Sequence, residues 1–202
     1  ALATLDSLRN GYDPENIIIN FSDWLNFAYY TPYGKVFDSG CTCSYAIGNY
    51  MRDGDIKKCS CSGENDNGNS SLMRILPACI YFYEKEKIGK LSVNEIIENI
   101  HMISALTHAH LRSKIACGLN YFLVREMIVG SGSINDRLQS GFDKGFAFYE
   151  ADAKNTEELS YYDSLRNISE FAQLTDSEIQ SSGYVFASFE AAVWSKSAKK
   201  SP

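Results

Sequence analysis

The segment Gly68–Pro77 combines the residue types that bind anions at the start of a helix. It opens with glycine and asparagine, which tolerate unusual backbone angles, and Ser70 and Ser71 then begin a helix whose first amides have no partner inside it. Such amides, with hydroxyl groups beside them, can bind a phosphate, and Arg74 can add a charged donor. The same pattern also fits a capped helix after a long loop, with Arg74 in a structural ion pair.

Two further segments carry polar groups that can contact a ligand. Asp38 lies two residues before Gly40, and a carboxylate held beside a glycine turn can accept hydrogen bonds from such a ligand. Thr107 and His108 supply a hydroxyl and an imidazole at the start of a later helix. The alternative interpretations are a turn cap for Asp38 and an ordinary core residue for His108.

The six cysteines include two C-x-C pairs, Cys41 with Cys43 and Cys59 with Cys61. Cysteines one residue apart seldom bridge each other, and the sequence shows no export signal, so we expect reduced thiols. A zinc site built from the four paired cysteines is the alternative, although structural zinc sites usually have two to four residues between paired ligands.

Composition excludes several classes of function. The 202 residues carry a net charge of -6 and 45% hydrophobic residues, typical of a globular protein and unlike a nucleic-acid-binding one, which concentrates Lys and Arg. We find no apolar run long enough to span a membrane and no signal peptide, so we expect a cytoplasmic protein without nucleic-acid or membrane partners.

The spacing of apolar residues predicts that helices position these groups along the whole chain. We therefore predict an all-α fold with one compact multi-helix domain over residues 1–202. Leu2, Leu5 and Leu8 share one helical face, and Asp13-Pro14-Glu15 begins the next helix. A capping box at Ser92–Glu95 begins another. Loops are predicted over 31–41 and 52–70, and further helices over about 45–50, 72–86, 109–129, 134–150, 157–180 and 184–195, with a frayed tail over 195–202.

Four ordered segments then resemble landmarks of the ADP-ribosylglycohydrolases, which include the dinitrogenase reductase-activating glycohydrolases. They are Asp38–Thr42, similar to D-x-G-N-T; Gly68–Pro77, similar to G-N-G-[small]-x-M-R-x-x-P; Leu106–Ala109, similar to x-T-H-x; and Gly183–Trp194, similar to G-Y-V-x-x-[ST]-x-x-A-x-x-W. The sequence departs from these patterns at Cys41, where relatives carry Asn, and at Ser70, where they carry Gly.

The resemblance implies a cleft that binds ADP-ribose or an ADP-ribosylated protein. It places Asp38 next to the reacting ribose as the catalytic candidate. It also implies residues that bind the substrate by contacting the phosphates, shaping the loop around them or lining the cleft. These candidates are Gly68, Asn69, Ser70, Ser71, Arg74, His108 and Tyr184.

The resemblance also implies two divalent cations, Mg²⁺ or Mn²⁺. In the family their ligands come from a Thr-Asp-Asp element near the N-terminus and an Asp-x-Asp-[ST] element near the C-terminus, and neither occurs in this sequence. We therefore name no metal ligand, and we expect the chain to be the central part of a domain whose two metal-binding elements lie beyond its ends.

Two functions remain open from the sequence. The first is a hydrolase that cleaves the glycosidic bond between ADP-ribose and a modified protein side chain or a related ligand. It would depend on two metals when full length, with little activity in these 202 residues alone. The second is a non-catalytic ADP-ribose-binding or structural relative that has lost its metal site.

Overall fold

The computed structural model describes residues 1–197, and these confirm the all-α prediction: they contain helices and no β-strand. The α-helices are Leu2–Leu8 (α1), Pro14–Phe27 (α2), Cys41–Asp53 (α3), Ser70–Arg74 (α4), Leu76–Lys87 (α5), Val93–Ala105 (α6), Leu111–Val129 (α7), Ile134–Glu150 (α8), Thr156–Ser160 (α9), Ile168–Phe171 (α10) and Val185–Ser197 (α11). Short 3₁₀ helices cover Glu64–Asp66, Ala153–Asn155, Asp163–Arg166 and Asp176–Glu178.

Helix starts follow the capping residues that the sequence predicts. The Asp13 side chain accepts hydrogen bonds from the amides of Glu15 and Asn16, at 2.9 and 3.3 Å, and Pro14 occupies the first turn of α2. Ser92 and Glu95 form the predicted capping box at α6, with 2.8 Å from the Ser92 amide to the carboxylate. These side chains satisfy amides that a helix start leaves without partners.

The helix predicted over 72–86 is two helices, because α4 ends at Arg74 and α5 begins at Leu76. Pro77 has no amide hydrogen to continue the ladder, and its ring would collide with the carbonyl four residues earlier. The break turns α4 into a separate short helix, which is the element that carries the anion-binding candidates.

The single helix predicted over 157–180 is wrong. This stretch contains α9, α10 and two 3₁₀ turns. Asn167 has an extended backbone, and its side chain caps α10 by accepting from the Glu170 amide, while Gln139 accepts from the Ile168 amide at 2.8 Å. Side chains that take over backbone hydrogen bonds in this way compete with a continuous helix. At the C-terminus, α11 runs through Ser197, and the rest of the predicted frayed tail lies outside the described residues.

The core is arranged around α7, which packs against α5, α6, α8 and α11. Its buried residues lie on most of its circumference, as expected of a helix enclosed on several sides, and they include Ile115, Leu119 and Phe122. In the described part of the chain, no helix is long and apolar enough to cross a membrane.

Glycines let α8 lie close against α7. A methyl group at Gly145 would lie 2.7 Å from Leu119 Cδ2, and a methyl group at Gly118 would overlap the Tyr149 hydroxyl, which hydrogen-bonds His101 Nε2 at 2.7 Å. Neither glycine has a left-handed backbone. Glycine is therefore needed at both positions because a larger side chain would not fit, and not because of the backbone conformation.

We therefore predict that Gly118→Ala lowers the free energy of unfolding by about 1–3 kcal/mol through overpacking. Gly48→Ala is the matched control, because Gly48 also lies inside a helix and an added methyl group there meets no atom within 4 Å. Both substitutions raise the helix propensity in the same way, but only Gly118→Ala adds a clash. The difference between their free energies of unfolding in urea therefore measures the cost of the clash. Equal stability of the two variants would contradict the tight α7–α8 packing.

Candidate functional site

A cleft of about 590 Å³ lies where α3 and α4 begin, beside the end of α6 and next to Gly183. Its lining includes Asp38, Gly68, Asn69, Ser70, Arg74 and His108, so six of the eight predicted site residues come together at one cavity. The lining also includes three aromatic residues from the N-terminal region: Phe21, Trp24 and Tyr30.

Two isolated main-chain bridges hold the landmark segments in place. Gly68 pairs with Tyr184, supported by the Asn69 amide donating to the Gly183 carbonyl at 2.9 Å. Cys61 pairs with His108, so the loop after α3 is tied to the turn after α6. Segments far apart in sequence therefore meet through backbone hydrogen bonds at the cleft.

Arg74 is a buried cation, with 8% of its surface exposed. Its Nη2 atom donates to Thr107 Oγ1 at 2.6 Å and to the Ile103 carbonyl at 3.3 Å, and its guanidinium lies 4.7 Å from the centre of the Phe21 ring. Its Nε atom is buried without a hydrogen-bond partner, and no carboxylate of residues 1–197 forms an ion pair with it. Burial lowers the pKa of this guanidinium.

A buried charge without a counter-charge is costly. An anion in the cleft beside Arg74 would offset part of this cost. Arg74 is thus at the cleft as predicted, and the structural ion pair that was the alternative is absent from the described part of the chain.

His108 is almost fully buried, with 1% of its surface exposed, and its Nδ1 atom lies 2.7 Å from Thr107 Oγ1. Burial, followed by the positive charge of Arg74, lowers the pKa of His108 to about 3. The imidazole is therefore neutral at physiological pH. This position is compatible with both interpretations, a buried core histidine with a hydrogen-bond partner and a residue that contacts a ligand, because His108 also lines the cleft.

Asp38 lies in the exposed loop before α3 and lines the cleft. Its Oδ1 atom accepts from the Gly40 amide at 3.2 Å, which is the turn-capping arrangement that the sequence left open. Gly40 has a left-handed backbone (φ 64°), which favours glycine at this turn. The second carboxylate oxygen stays free to meet a ligand, so the cap and the catalytic role are compatible.

The first four residues of the segment Gly68–Pro77 do not all lie at the cleft. Gly68, Asn69 and Ser70 line the cleft, and the Asn69 side chain donates to Ser188 Oγ at 2.7 Å. Ser71 is fully buried and accepts from the Cys117 thiol, with the sulfur 3.7 Å from its hydroxyl oxygen. Ser71 therefore faces the core, and its predicted contact with substrate is not supported by its position.

Tyr184 also points away from the cleft. Its hydroxyl accepts from Arg112 Nη1 at 2.7 Å and donates to the Glu64 carbonyl at 3.0 Å. Arg112 is buried, pairs with Glu158 at 2.7 Å and stacks 3.5 Å from the centre of the Tyr161 ring. Tyr184 thus joins α7 to the loop that carries Gly68, and it is the adjacent Gly183 that lines the cleft.

The sequence prediction missed two parts of this site. Phe21 and Trp24 belong to the apolar stripe of α2, which gives no sign that they border a cavity. Arg112 lies at the start of α7 beside Ser113 and Lys114, so the local sequence also gives no sign that it is buried against Tyr184 and Glu158.

The cysteines do not form a metal site. All six are free thiols, and residues 1–197 contain no group of three or more His, Cys, Asp or Glu side chains arranged to hold a metal ion. Cys41, Cys43, Cys59 and Cys61 therefore do not form a cluster that fits zinc in the described part of the chain. The same finding means that the described residues do not fit the two divalent cations that the resemblance implies.

Comparison with known proteins agrees with the four landmarks. The family model described as ADP-ribosylglycohydrolase matches residues 1–201, nearly the whole chain. The chain belongs to the ADP-ribosylglycohydrolase family. No curated protein matches the sequence. The segments compared with the family landmarks contain Asp38, Asn69, Arg74 and His108, all of which line the cleft.

The neutral state of His108 predicts a pH dependence of stability. The unfolded chain takes up a proton at this histidine near pH 6.5, whereas the folded chain does so only near pH 3. Between these values the unfolded state binds more protons, so stability falls as the pH is lowered, by up to about 1.4 kcal/mol per pH unit from this residue.

We predict that the free energy of unfolding of His108→Gln depends less steeply on pH than that of the wild type between about pH 4 and 6. Urea unfolding at a series of pH values measures both slopes. His101, whose pKa burial also lowers to about 3, remains in both proteins and contributes equally. Identical slopes would show that His108 titrates normally in the folded protein.

Proposed function

We propose that the protein is a glycosidic hydrolase that binds an ADP-ribosyl group in this cleft and releases ADP-ribose from a modified protein side chain or a related ligand. Family membership supports hydrolysis of this kind. The main observation in favour of an anionic ligand is the buried Arg74 guanidinium. It borders the cleft and has no carboxylate partner among the described residues.

Helix starts add to the attraction for an anion. Both α3 and α4 begin at the cleft, and neither has a side-chain cap. The first amides of a helix point outward with partial positive charge, and α3, with thirteen residues, has the length for this effect. The diphosphate of ADP-ribose would lie between these helix starts and Arg74, with Asn69 and Ser70 beside it.

The size and character of the cleft suit a nucleotide sugar. Its volume of about 590 Å³ lies inside the usual range of small-molecule sites, roughly 300–1,000 Å³. Phe21, Trp24 and Tyr30 are among its lining residues, and a base or sugar can pack on aromatic rings of this kind.

Asp38 is the group that we assign to the ribose. Cleavage of a glycosidic bond passes through a transition state with positive charge on the sugar ring, which a nearby carboxylate stabilises. Among the described residues, Asp38 is the carboxylate that lines the cleft, and its Oδ1 atom accepts from the Gly40 amide.

Dependence on Mg²⁺ or Mn²⁺ remains a prediction from the resemblance. Because residues 1–197 contain no cluster that would hold such ions, we assign no step to them. We expect the 202-residue chain to bind ADP-ribose and to hydrolyse ADP-ribosylated protein with very low turnover.

Binding tests the proposal directly. Isothermal titration of the chain with ADP-ribose should show a single site, and Arg74→Met should weaken it by roughly 10- to 100-fold, the value of a charge-assisted hydrogen bond. Arg137→Met is the matched control, because Arg137 also has a buried Nε without a partner but lies outside the cleft.

Circular dichroism must show that both variants are folded. Absence of ADP-ribose binding by the wild-type chain would overturn the proposal. Equal affinity in folded Arg74→Met and Arg137→Met would remove Arg74 from the site.

A further inference from the structure

Three side chains form a continuous hydrogen-bonded chain beneath the cleft. Arg74 Nη2 lies 2.6 Å from Thr107 Oγ1, which in turn lies 2.7 Å from His108 Nδ1. Thr107 is completely buried. Arg74 and His108 border the cleft as well, so the three side chains connect its interior wall to the core.

The direction of these hydrogen bonds follows from the chemistry of the groups. A guanidinium has donors only, so Thr107 Oγ1 accepts from Arg74. The hydroxyl hydrogen of Thr107 then needs an acceptor, because a buried donor without a partner is costly. In the described part of the chain, the other side-chain partner of this hydroxyl is His108 Nδ1.

His108 Nδ1 is therefore the acceptor, and a neutral imidazole that accepts at Nδ1 carries its proton on Nε2. Burial and the nearby charge of Arg74 disfavour a second proton. Thr107 thus sets the tautomer of the ring in addition to holding its orientation.

The Nε2 edge of the ring faces Gly68. A methyl group built on Gly68 would lie 3.4 Å from His108 Nε2. Gly68 does not have a left-handed backbone, so its conformation does not require glycine. What the glycine provides is open space in front of the nitrogen, which a ligand atom can enter.

We propose that Arg74 and Thr107 hold His108 as its neutral Nε2–H tautomer, so that His108 donates a hydrogen bond to an acceptor oxygen of the bound ligand and Thr107 is the positioning residue for this contact. The ligand in this statement rests on the proposed function, whereas the tautomer is a property of the free protein. The acceptor is a phosphate, hydroxyl or carbonyl oxygen.

One consequence concerns the reaction. With Nδ1 engaged by Thr107 and Nε2 already protonated, His108 cannot accept a proton from water or from a sugar hydroxyl. It is a binding residue, and proton transfer in the cleft must use another group. Asp38 has the free carboxylate oxygen for that task.

Nitrogen NMR of the free protein tests the tautomer. The chain has three histidines, so ¹⁵N-histidine labelling gives a small spectrum in which His108→Gln identifies the resonances of His108. We expect the His108 Nδ1 shift in the range of an unprotonated nitrogen and the Nε2 shift in the range of a protonated one at neutral pH. The reverse assignment would overturn the proposal.

Two variants of Thr107 test the positioning role. Thr107→Ser retains the hydroxyl and should keep the wild-type pattern, whereas Thr107→Val has the same shape without the hydroxyl and should show a mixture of tautomers. If Thr107→Val folds and keeps the wild-type tautomer, Thr107 does not set it. If Thr107→Val does not fold, the wild-type spectrum and Thr107→Ser still decide the tautomer.

Titration with ADP-ribose tests the ligand contact. We expect it to shift the Nε2 resonance of His108, and we expect Gly68→Ala to weaken binding by roughly tenfold, the loss of one hydrogen bond, without changing the tautomer. Gly48→Ala is the control, since a methyl group there meets no atom within 4 Å. Binding without an Nε2 shift would overturn the contact, while no binding at all would overturn the proposed function and leave the tautomer intact.

Discussion

The buried guanidinium of Arg74 is the interaction on which the site depends. It connects α4 to the end of α6 through Thr107 and Ile103, and to α2 through the face of Phe21. These are neutral partners, so they satisfy donors without neutralising the charge. A buried cation at the wall of a cleft favours the binding of an anion there. The same positive charge also lowers the pKa of His108 and so helps to keep the imidazole neutral.

The helices support this arrangement by bringing distant parts of the chain to one place. The central α7 packs between α5, α6 and α8, and from its first turn Arg112 holds Tyr184 against the loop at Glu64. Tyr184 then pairs through its backbone with Gly68. The position of the cleft residues therefore depends on a polar cluster outside the cleft.

Much of the fold can be predicted from local chemistry. Asp13 with Pro14 and Ser92 with Glu95 determine helix starts by hydrogen bonds within a few residues, and such signals are visible in the sequence. The region after residue 156 could not be predicted in this way, because Gln139 of α8 supplies the acceptor for the Ile168 amide. That contact exists only once the helices have packed.

The candidate site shows the same division. The family landmarks lead to Asp38, Asn69, Arg74 and His108, which do meet at one cleft. They do not distinguish side chains that face the ligand from those that support it, and the structure places Ser71 and Tyr184 outside the lining of the cleft. Burial beside Cys117 and the hydrogen bond to Arg112 decide their orientation, and both partners lie on α7, far away in sequence.

The most direct test of this account is a crystal structure of the protein soaked with ADP-ribose. We predict electron density for the diphosphate inside the cleft, beside the guanidinium of Arg74, with an acceptor oxygen of the ligand at hydrogen-bond distance from His108 Nε2. Density for the ligand elsewhere on the surface, with this cleft filled only by water, would contradict the central claim that Arg74 makes the cleft an anion site.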